Sequence, residues 1–307
     1  MQDFKYFKKI ISKNILFMMI LVLLLVGVSE RIVNLMVAND SYVLDRNKSI
    51  FRILREPENS VDIIVLGDSL GMTSISPMAW WGDYGMTGYV CGQTGQRMQE
   101  AFHMLQAAYE TQSPKLVILE TNMVFRCKNL SSEVKDCLGE IGYRYIPIFQ
   151  GHDIWKSMLS EKQYPAENYK GFAFRCETVP YEQGEYMQKN DQKEEISKIV
   201  SFYLEKIRKL CEKNGTKLLL VSTPSPINCN YARHNSIEAY AREKGLDFLD
   251  LNLKTEEIGI NWKTDSLDNG DHLNYSGADK VTRYLGNYLT QNYTFPDHRG
   301  EKTYRTW

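Results

Sequence analysis

A serine and a histidine, far apart in the chain, stand where they could carry out acyl-transfer chemistry. Ser69 follows the short apolar run Val61–Leu66 and precedes a segment that could be helical. His272 lies beside two aspartates, Asp268 and Asp271. A serine hydroxyl needs a base to take its proton, and the base needs a carboxylate to orient it. Ser69 alone could equally be a helix N-cap; the histidine loop favours a nucleophile.

The motifs around these residues resemble the SGNH (GDSL) esterase superfamily. Gly67-Asp68-Ser69-Leu70 is similar to its first block, and Asp268–Ala278 is similar to its last. Gly92, after a short apolar segment, matches the glycine of the second block, and Glu120-Thr121-Asn122-Met123 stands where the family has Gly-x-Asn-Asp. The four blocks occur in family order between Val61 and about Tyr288. The resemblance implies a three-layer α/β/α fold and an acyl-serine mechanism.

The acid that would orient His272 has two candidates. The family has an aspartate three residues before the histidine, and this chain has Asn269 there. Asp268 and Asp271 flank that position. We prefer Asp268, because Gly270 could let the loop bulge, whereas the side chain of Asp271 would point away from its neighbour in an extended loop. Both remain candidates from the sequence.

The resemblance also implies three donors for the oxyanion of the tetrahedral intermediate. They are the backbone N–H groups of Ser69 and Gly92 and the side-chain amide of Asn122. Glu120 and Met123 replace the glycine and the acid of the family block, so this is the weakest match, and Asn122 alone could be a turn residue. The sequence has no metal-ligand spacing and no phosphate-binding glycine loop. We expect no metal and no cofactor.

Apolar runs alternate with helix-type patterns through the domain. After Val61–Leu66, the predicted strands are Tyr89–Cys91, Leu116–Leu119, Lys217–Ser222 and Phe248–Leu251. The predicted helices are Met98–Tyr109, a long helix with the capping-box pair Asp191 and Glu194, Ile237–Lys244 and Gly277–Leu289. This alternation predicts an α/β fold with a doubly wound, mostly parallel, five-stranded sheet. Residues from about 124 to 190 lack clear periodicity and are interpreted as an insertion.

The amino terminus predicts a membrane anchor. Four lysines, at positions 5, 8, 9 and 13, precede the uncharged run Ile15–Val28, which Ile10, Ile11 and Ile32–Val37 can extend. A signal peptide is the alternative, but no clear cleavage site follows. We therefore predict a cytoplasmic tip and transmembrane helix over 1–37, a stalk or short helix over 38–60, a catalytic domain over 61–292 and a tail over 293–307. The domain would lie outside the cell membrane.

Composition limits the other possibilities. The net charge of −1 over 307 residues gives no electrostatic case for nucleic-acid binding. The six cysteines have no C-x-x-C pair; Cys127 and Cys137 are the nearest candidates for a disulfide, and buried free thiols are the alternative.

Location and chemistry together predict a function. Asp271-His272-Leu273-Asn274 and Ile75-Ser76-Pro77 resemble the branch of the D-alanyl-lipoteichoic acid biosynthesis protein and the alginate O-acetylation proteins. That resemblance implies adding or removing an O-acyl ester on a surface glycan, with a multi-pass membrane acyltransferase as partner. Because a membrane anchor keeps the site beside a membrane-embedded donor, we predict an O-acyltransferase that acts on a cell-envelope polysaccharide or a teichoic-acid-like acceptor. A carbohydrate O-acyl esterase and a non-catalytic glycan-binding scaffold are the alternatives.

Overall fold

The computed structural model describes residues 2–39, 48–126, 130–146, 149, 169–305 and 307. Its strands are β1 (Ile63–Gly67), β2 (Gly88–Gly92), β3 (Leu116–Glu120), β4 (Lys217–Ser222) and β5 (Asp247–Asp250). Its helices are α1 (Gln2–Ala38), α2 (Lys48–Ile53), α3 (Ser69–Ser74), α4 (Pro77–Tyr84), α5 (Met98–Ala108), α6 (Leu130–Tyr145), α7 (Lys198–Lys213), α8 (Tyr231–Lys244), α9 (Thr255–Ile258) and α10 (Tyr275–Asn292). Short 3-10 helices span Thr121–Phe125, Leu251–Lys254 and Lys302–Tyr304.

The five strands form one sheet in the order β2-β1-β3-β4-β5, and every neighbouring pair is parallel. All residues of β1, β2 and β3 are buried. A strand covered on both faces needs apolar side chains at successive positions, which is why these segments are unbroken apolar runs in the sequence. The predicted five-stranded α/β fold is confirmed.

Helices cover both faces of the sheet. On one face, Ile63 and Val65 of β1, with Ile118 of β3, pack against Trp80 of α4 and Val281 of α10. The indole N–H of Trp80 donates to the carbonyl of Thr282 at 2.9 Å, which joins α4 to α10. On the other face α5 packs against α7 and contacts β1, while α7 contacts β4. The result is the predicted three-layer α/β/α arrangement.

Two helix starts differ from the predicted ones. The long helix α7 begins at Lys198, and its N-cap is Ser197, whose hydroxyl accepts from the N–H of Val200. The capping-box prediction at Asp191 and Glu194 is therefore wrong; Glu194 instead binds a distant arginine of α8. Helix α8 begins six residues before the predicted Ile237, at Tyr231, with Asn230 as its N-cap.

The segment interpreted as an insertion is not uniformly irregular. Helix α6 occupies 130–145. Its apolar residues recur at helical spacing and are exposed: Val134, Leu138, Ile141 and Tyr145. The interpretation that this stretch lacks periodicity was therefore wrong. Residues 127–129, 147–148 and 150–168 of the predicted insertion lie outside the described residues, so the predicted partner Cys127 does too. The described cysteines, including Cys137, are free thiols.

The amino-terminal part contains the predicted apolar helix. Within α1, Lys13–Ala38 is long and apolar enough to cross a membrane, with a mean hydropathy of 2.4 in its most apolar window. Helix α2 follows, and its residues Phe51 and Ile53 are buried. The hydroxyl of Ser49 in α2 donates to the carbonyl of Gly92 at 2.7 Å. Helix α2 thus packs on the end of β2, in the range predicted as a stalk or short helix.

Candidate active site

The carboxyl ends of β2, β1 and β3 lie side by side and carry the residues of three sequence blocks. Gly92 is the last residue of β2 and Glu120 the last of β3, while Ser69 begins α3 just after β1. Asp68 caps α3: one of its carboxylate oxygens accepts from the N–H of Leu70 at 2.9 Å. Because parallel strands end at the same edge, residues distant in sequence meet there.

Ser69, His272 and Asp268 form a continuous hydrogen-bonded chain. The Nε2 atom of His272 lies 2.8 Å from the Ser69 hydroxyl, and its Nδ1 atom lies 2.7 Å from a carboxylate oxygen of Asp268. A carboxylate can only accept at Nδ1, so the ring carries its proton there and Nε2 is left to accept the serine proton. The geometry is that of a nucleophile, a base and an orienting acid.

The loop conformation explains why Asp268 reaches the ring and Asp271 does not. Asn269 and Gly270 have φ angles of 58° and 86°, in the left-handed region, so the chain turns sharply between the two aspartates. The second carboxylate oxygen of Asp268 closes the turn by accepting from the N–H of His272 at 2.7 Å. The nearest oxygen of Asp271 is 3.7 Å from Nδ1. The structure thus places Asp268, the preferred of the two candidates, against the ring of His272.

Two residues of the loop after β4 hold Asp271 in that position. Ser225 is fully buried, and its hydroxyl donates to the carbonyl of Asp271 at 2.7 Å. The side-chain amide of Asn228 donates to the carboxylate of Asp271 and to the Ser225 hydroxyl. From the sequence, this loop was predicted only as the end of a strand. Its position at the carboxyl end of β4 was the signal that it borders the site.

Gly92 is required at its position by close packing. A Cβ atom there would lie 2.8 Å from the carbonyl oxygen of Gly67 and 2.8 Å from Met72 Cγ. The register pairs Gly92 with Gly67 at the ends of β2 and β1. The backbone of Gly92 can therefore approach the nucleophile segment, as the predicted role of its N–H group in an oxyanion hole requires.

Asn122, the third predicted oxyanion donor, is oriented by Asp68. Its side-chain N–H₂ group donates to the second carboxylate oxygen of Asp68 at 2.8 Å, which uses one of its two hydrogens. Arg126 donates from Nε to the same oxygen. Asp68 is fully buried, so this charge-assisted pair fixes both partners beside Ser69. Arg126 was not predicted from the sequence; a cation three residues after the third block was the available signal.

Glu120, which replaces the family glycine, is fully buried beneath the site. Burial, together with the negative charge of Asp68, raises the pKa of Glu120 well above its usual value. Its carboxyl oxygens accept from the N–H of Asn122 at 3.1 Å and from the hydroxyl of Thr223 at 3.3 Å. Glu120 therefore supports the turn that carries Asn122.

His234, at the start of α8, also pairs with an aspartate but has a different environment. Its Nδ1 atom lies 2.8 Å from Asp250, and its ring packs between Tyr231 and Phe248. Among the described residues, the groups close enough to hold a cation are Asp268, Asp271 and His272, whose potential ligand atoms lie within 4.8 Å of one another. Those atoms already bind each other, Ser69 and Asn228.

Comparison with known proteins finds distant likenesses among solved structures. No protein-family model and no curated protein matches the sequence. A structure from Bacteroides fragilis, assigned as an acylhydrolase, is 12% identical, with a TM-score of 0.41, over 81% of this chain and 97% of that one. A GDSL-like lipase from Bacteroides thetaiotaomicron is 12% identical, with a TM-score of 0.37, over 75% of this chain and 87% of that one. A two-domain esterase, described as active on acetylated mannans, is 14% identical, with a TM-score of 0.41, over 80% of this chain and 52% of that one.

The chain's own block order, its sheet and its hydrogen-bonded Ser69–His272–Asp268 chain agree with the SGNH superfamily that the sequence resembles. Fold and site together define a three-layer α/β/α domain in which a serine, a histidine and an aspartate are joined by hydrogen bonds at one edge of the sheet.

Proposed function

We propose that this chain is a membrane-anchored serine O-acyltransferase that modifies a cell-envelope glycan through an acyl-serine intermediate. The observation that carries the proposal is the hydrogen-bonded chain from Ser69 through His272 to Asp268, at 2.8 Å and 2.7 Å. Ser69 and His272 are both partly exposed, so a substrate can reach them.

The reaction follows from the geometry in two halves. Ser69 Oγ attacks the carbonyl carbon of a donor ester while its proton moves to His272 Nε2. The leaving alkoxide takes that proton, which leaves an acyl group on Ser69. An acceptor hydroxyl then gives its proton to His272 and attacks the acyl carbonyl. The bond between the acyl carbon and Ser69 Oγ breaks, and His272 returns the proton to Ser69 Oγ. The N–H groups of Ser69 and Gly92 and the amide of Asn122 would stabilise the two oxyanions, each donor by about 3 kcal/mol.

An exposed aromatic cluster beside α3 supports a sugar acceptor. The rings of Phe174 and Tyr275 are 4.8 Å apart, and both side chains are exposed. The N–H of Ala173 donates to the carbonyl of Met72 at 2.8 Å, which fastens this cluster three residues from Ser69 along the chain. Aromatic faces of this kind stack on the apolar faces of sugars, and they can hold a hydroxyl near the acyl carbonyl, where its effective concentration exceeds that of water.

The amino-terminal helix supports a location at the cell membrane. Four lysines precede the apolar part of α1, and positive residues flanking a span favour the cytoplasmic side. The enzyme domain would then lie outside the membrane as part of a single-pass protein. That location suits a cell-envelope polysaccharide or a teichoic-acid-like acceptor. It also suits a multi-pass membrane partner that supplies the acyl group.

An O-acyl esterase is the second candidate, since hydrolysis uses the same acyl-Ser69 intermediate with water as the second nucleophile. The carboxylate of Asp268 is 43% exposed, so water has access to the triad. A glycan-binding scaffold without turnover is the candidate of another class.

The test uses the full chain in detergent micelles with p-nitrophenyl acetate, in the presence and absence of purified envelope glycan. We expect acetylated glycan, detected by mass spectrometry, to exceed free acetate when glycan is present, and both products to disappear in Ser69→Ala. His234→Gln is the matched control, because it removes a histidine that also pairs with an aspartate but does not contact Ser69. Free acetate with no acetylated glycan would favour the esterase, and unchanged turnover in Ser69→Ala would exclude the serine mechanism.

A further inference from the structure

A pocket of about 470 Å³ lies beside the His272 loop and is not part of the triad. Two segments form it, one containing residues 181–187 and the other residues 252–263. Its lining combines three aromatic rings with three carboxylates. These are Tyr181, Tyr186 and Trp262, and Glu182, Glu185 and Glu256.

The aromatic wall is held rigidly. The ring of Trp262 meets Tyr181 at 6.1 Å and Tyr186 at 5.9 Å, both edge to face. The hydroxyl of Tyr186 donates to the side-chain oxygen of Asn252 at 3.0 Å, and burial raises the pKa of Tyr186. The N–H of Tyr181 donates to the carbonyl of Trp262 at 3.1 Å. A wall with its rings fixed in this way is prepared for a flat apolar ligand surface, which reduces the entropy lost on binding.

The rim of the pocket is acidic and open. Glu182, Glu185 and Glu256 are exposed, and their carboxylates make no hydrogen bond or ion pair with the described residues. Lys263 is the single basic residue among the lining residues. Carboxylates without partners accept hydrogen bonds from hydroxyl or ammonium groups, whereas they repel phosphate.

The pocket is connected to the catalytic loop. A Cβ atom at Gly270 would lie 2.7–3.1 Å from three atoms of Tyr181, so this side chain packs directly on the loop. Gly270 is two residues before His272, a backbone span of at most about 7 Å. The side-chain oxygen of Asn252 also accepts from the N–H of Ser225, whose hydroxyl binds the carbonyl of Asp271. A ligand in the pocket would therefore border the residues that position the base.

We propose that this acidic aromatic pocket binds a sugar unit of the acceptor, and that the acceptor is a neutral or amino-bearing polysaccharide and not a polyphosphate. The inference rests on the proposed function, whose acceptor it narrows. The aromatic wall contacts the apolar face of the sugar, and the glutamates bind its hydroxyl or amino groups. A poly(glycerol phosphate) chain would place negative charge against two glutamates of one short segment, Glu182 and Glu185.

The experiment measures binding without turnover. The full chain carrying Ser69→Ala, in phosphatidylcholine nanodiscs, is titrated calorimetrically with three probes. They are a β-1,4-linked N-acetylglucosamine hexamer, the same hexamer without its acetyl groups, and a poly(glycerol phosphate) of similar length. We expect both hexamers to bind, and the polyphosphate to bind at least about tenfold more weakly. Adding Glu182→Gln and Glu185→Gln should weaken binding of the amino-bearing hexamer about tenfold and reduce the discrimination against polyphosphate.

One control variant and one variant of the aromatic wall make the outcome specific. Glu58→Gln removes an exposed glutamate near the amino end of β1, at the opposite edge of the sheet, and should leave all three affinities unchanged. Trp262→Phe keeps a ring against the core but shortens the aromatic wall, so it should weaken binding of both hexamers. Failure of both hexamers to bind, stronger binding of the polyphosphate, or equal effects of the glutamate double substitution and Glu58→Gln would overturn the pocket assignment. Ester turnover by the chain with Ser69 intact is measured separately. Turnover without hexamer binding overturns only the pocket, whereas hexamer binding without turnover overturns the proposed function and leaves the pocket standing.

Discussion

Replacing Asp268 by asparagine should slow the enzyme far more than the same change at Asp271. The two carboxylates are matched, since their side chains are 43% and 42% exposed and they stand three residues apart. They differ in contact: Asp268 lies 2.7 Å from His272 Nδ1, and Asp271 lies 3.7 Å from it. The pair therefore separates a hydrogen-bonded acid from a nearby charge.

The magnitude follows from the two hydrogen bonds of Asp268. One carboxylate oxygen accepts from the ring and the other from the backbone N–H of His272. An amide has a single oxygen, so asparagine keeps one bond and loses the other, worth about 1.5–3 kcal/mol with a charged partner. The ion pair with the imidazolium formed in the transition state is also lost, worth about 1–4 kcal/mol at 4 Å, with the lower end favoured by exposure. We expect a loss of about 3 kcal/mol, or about a hundredfold in kcat/KM.

Asp271→Asn should reduce kcat/KM less than about fivefold, because its carboxylate binds Asn228 and an amide oxygen can still accept that bond. The assay is steady-state hydrolysis of p-nitrophenyl acetate by the full chain in micelles. Equal losses in the two variants, or a larger loss in Asp271→Asn, would refute the assignment of Asp268.

Three further predictions concern the supporting residues and the anchor. Arg126→Met should lower kcat about tenfold with little change in KM, because Arg126 holds the Asp68 carboxylate that orients Asn122; partial recovery in Arg126→Lys is expected, and a change confined to KM would contradict the role. Burial raises the pKa of Glu120 above its unfolded value of 4.5, so the folded chain holds this proton to higher pH than the unfolded chain does. Stability therefore falls by about 1.4 kcal/mol per pH unit above that value until the folded pKa is reached. Glu120→Gln should remove this slope of unfolding free energy against pH, measured by denaturation at several pH values. An unchanged slope would contradict the raised pKa of Glu120. Leu23→Arg should impair retention of the chain in membranes after alkaline carbonate extraction, because a charge at the centre of a span costs about 3 kcal/mol; retention equal to that of the unsubstituted chain would argue against a membrane-spanning helix.

The strands were predictable from sequence because parallel strands between two helical layers are buried on both faces. Val61–Leu66, Leu116–Leu119 and Lys217–Ser222 each read as an apolar run ended by glycine or polar residues, and each agrees with an observed strand within two residues at either end. Helix starts were less predictable. Several residues before α7 can accept from backbone N–H groups, and in the structure Ser197 caps the helix while Glu194 pairs with Arg233 of α8.

Helix α6 was missed for a related reason. Val134, Leu138, Ile141 and Tyr145 have helical spacing, yet they are exposed and are interrupted by charged residues. A pattern search relies on a contrast between buried apolar and exposed polar positions, and that contrast is weak in this helix.

The sequence by itself determined the residue types of the site and the order of its blocks. A buried strand followed by Gly67-Asp68-Ser69 and a late loop containing His272 indicate a serine with a base, because a serine hydroxyl needs such a base to react. The tertiary structure decided which aspartate serves His272. That choice depends on the left-handed turn at Asn269 and Gly270 and on the hydrogen bond that Asn228 donates to the carboxylate of Asp271. These contacts join segments that are far apart in the chain, and only closure of the parallel sheet brings them to one edge.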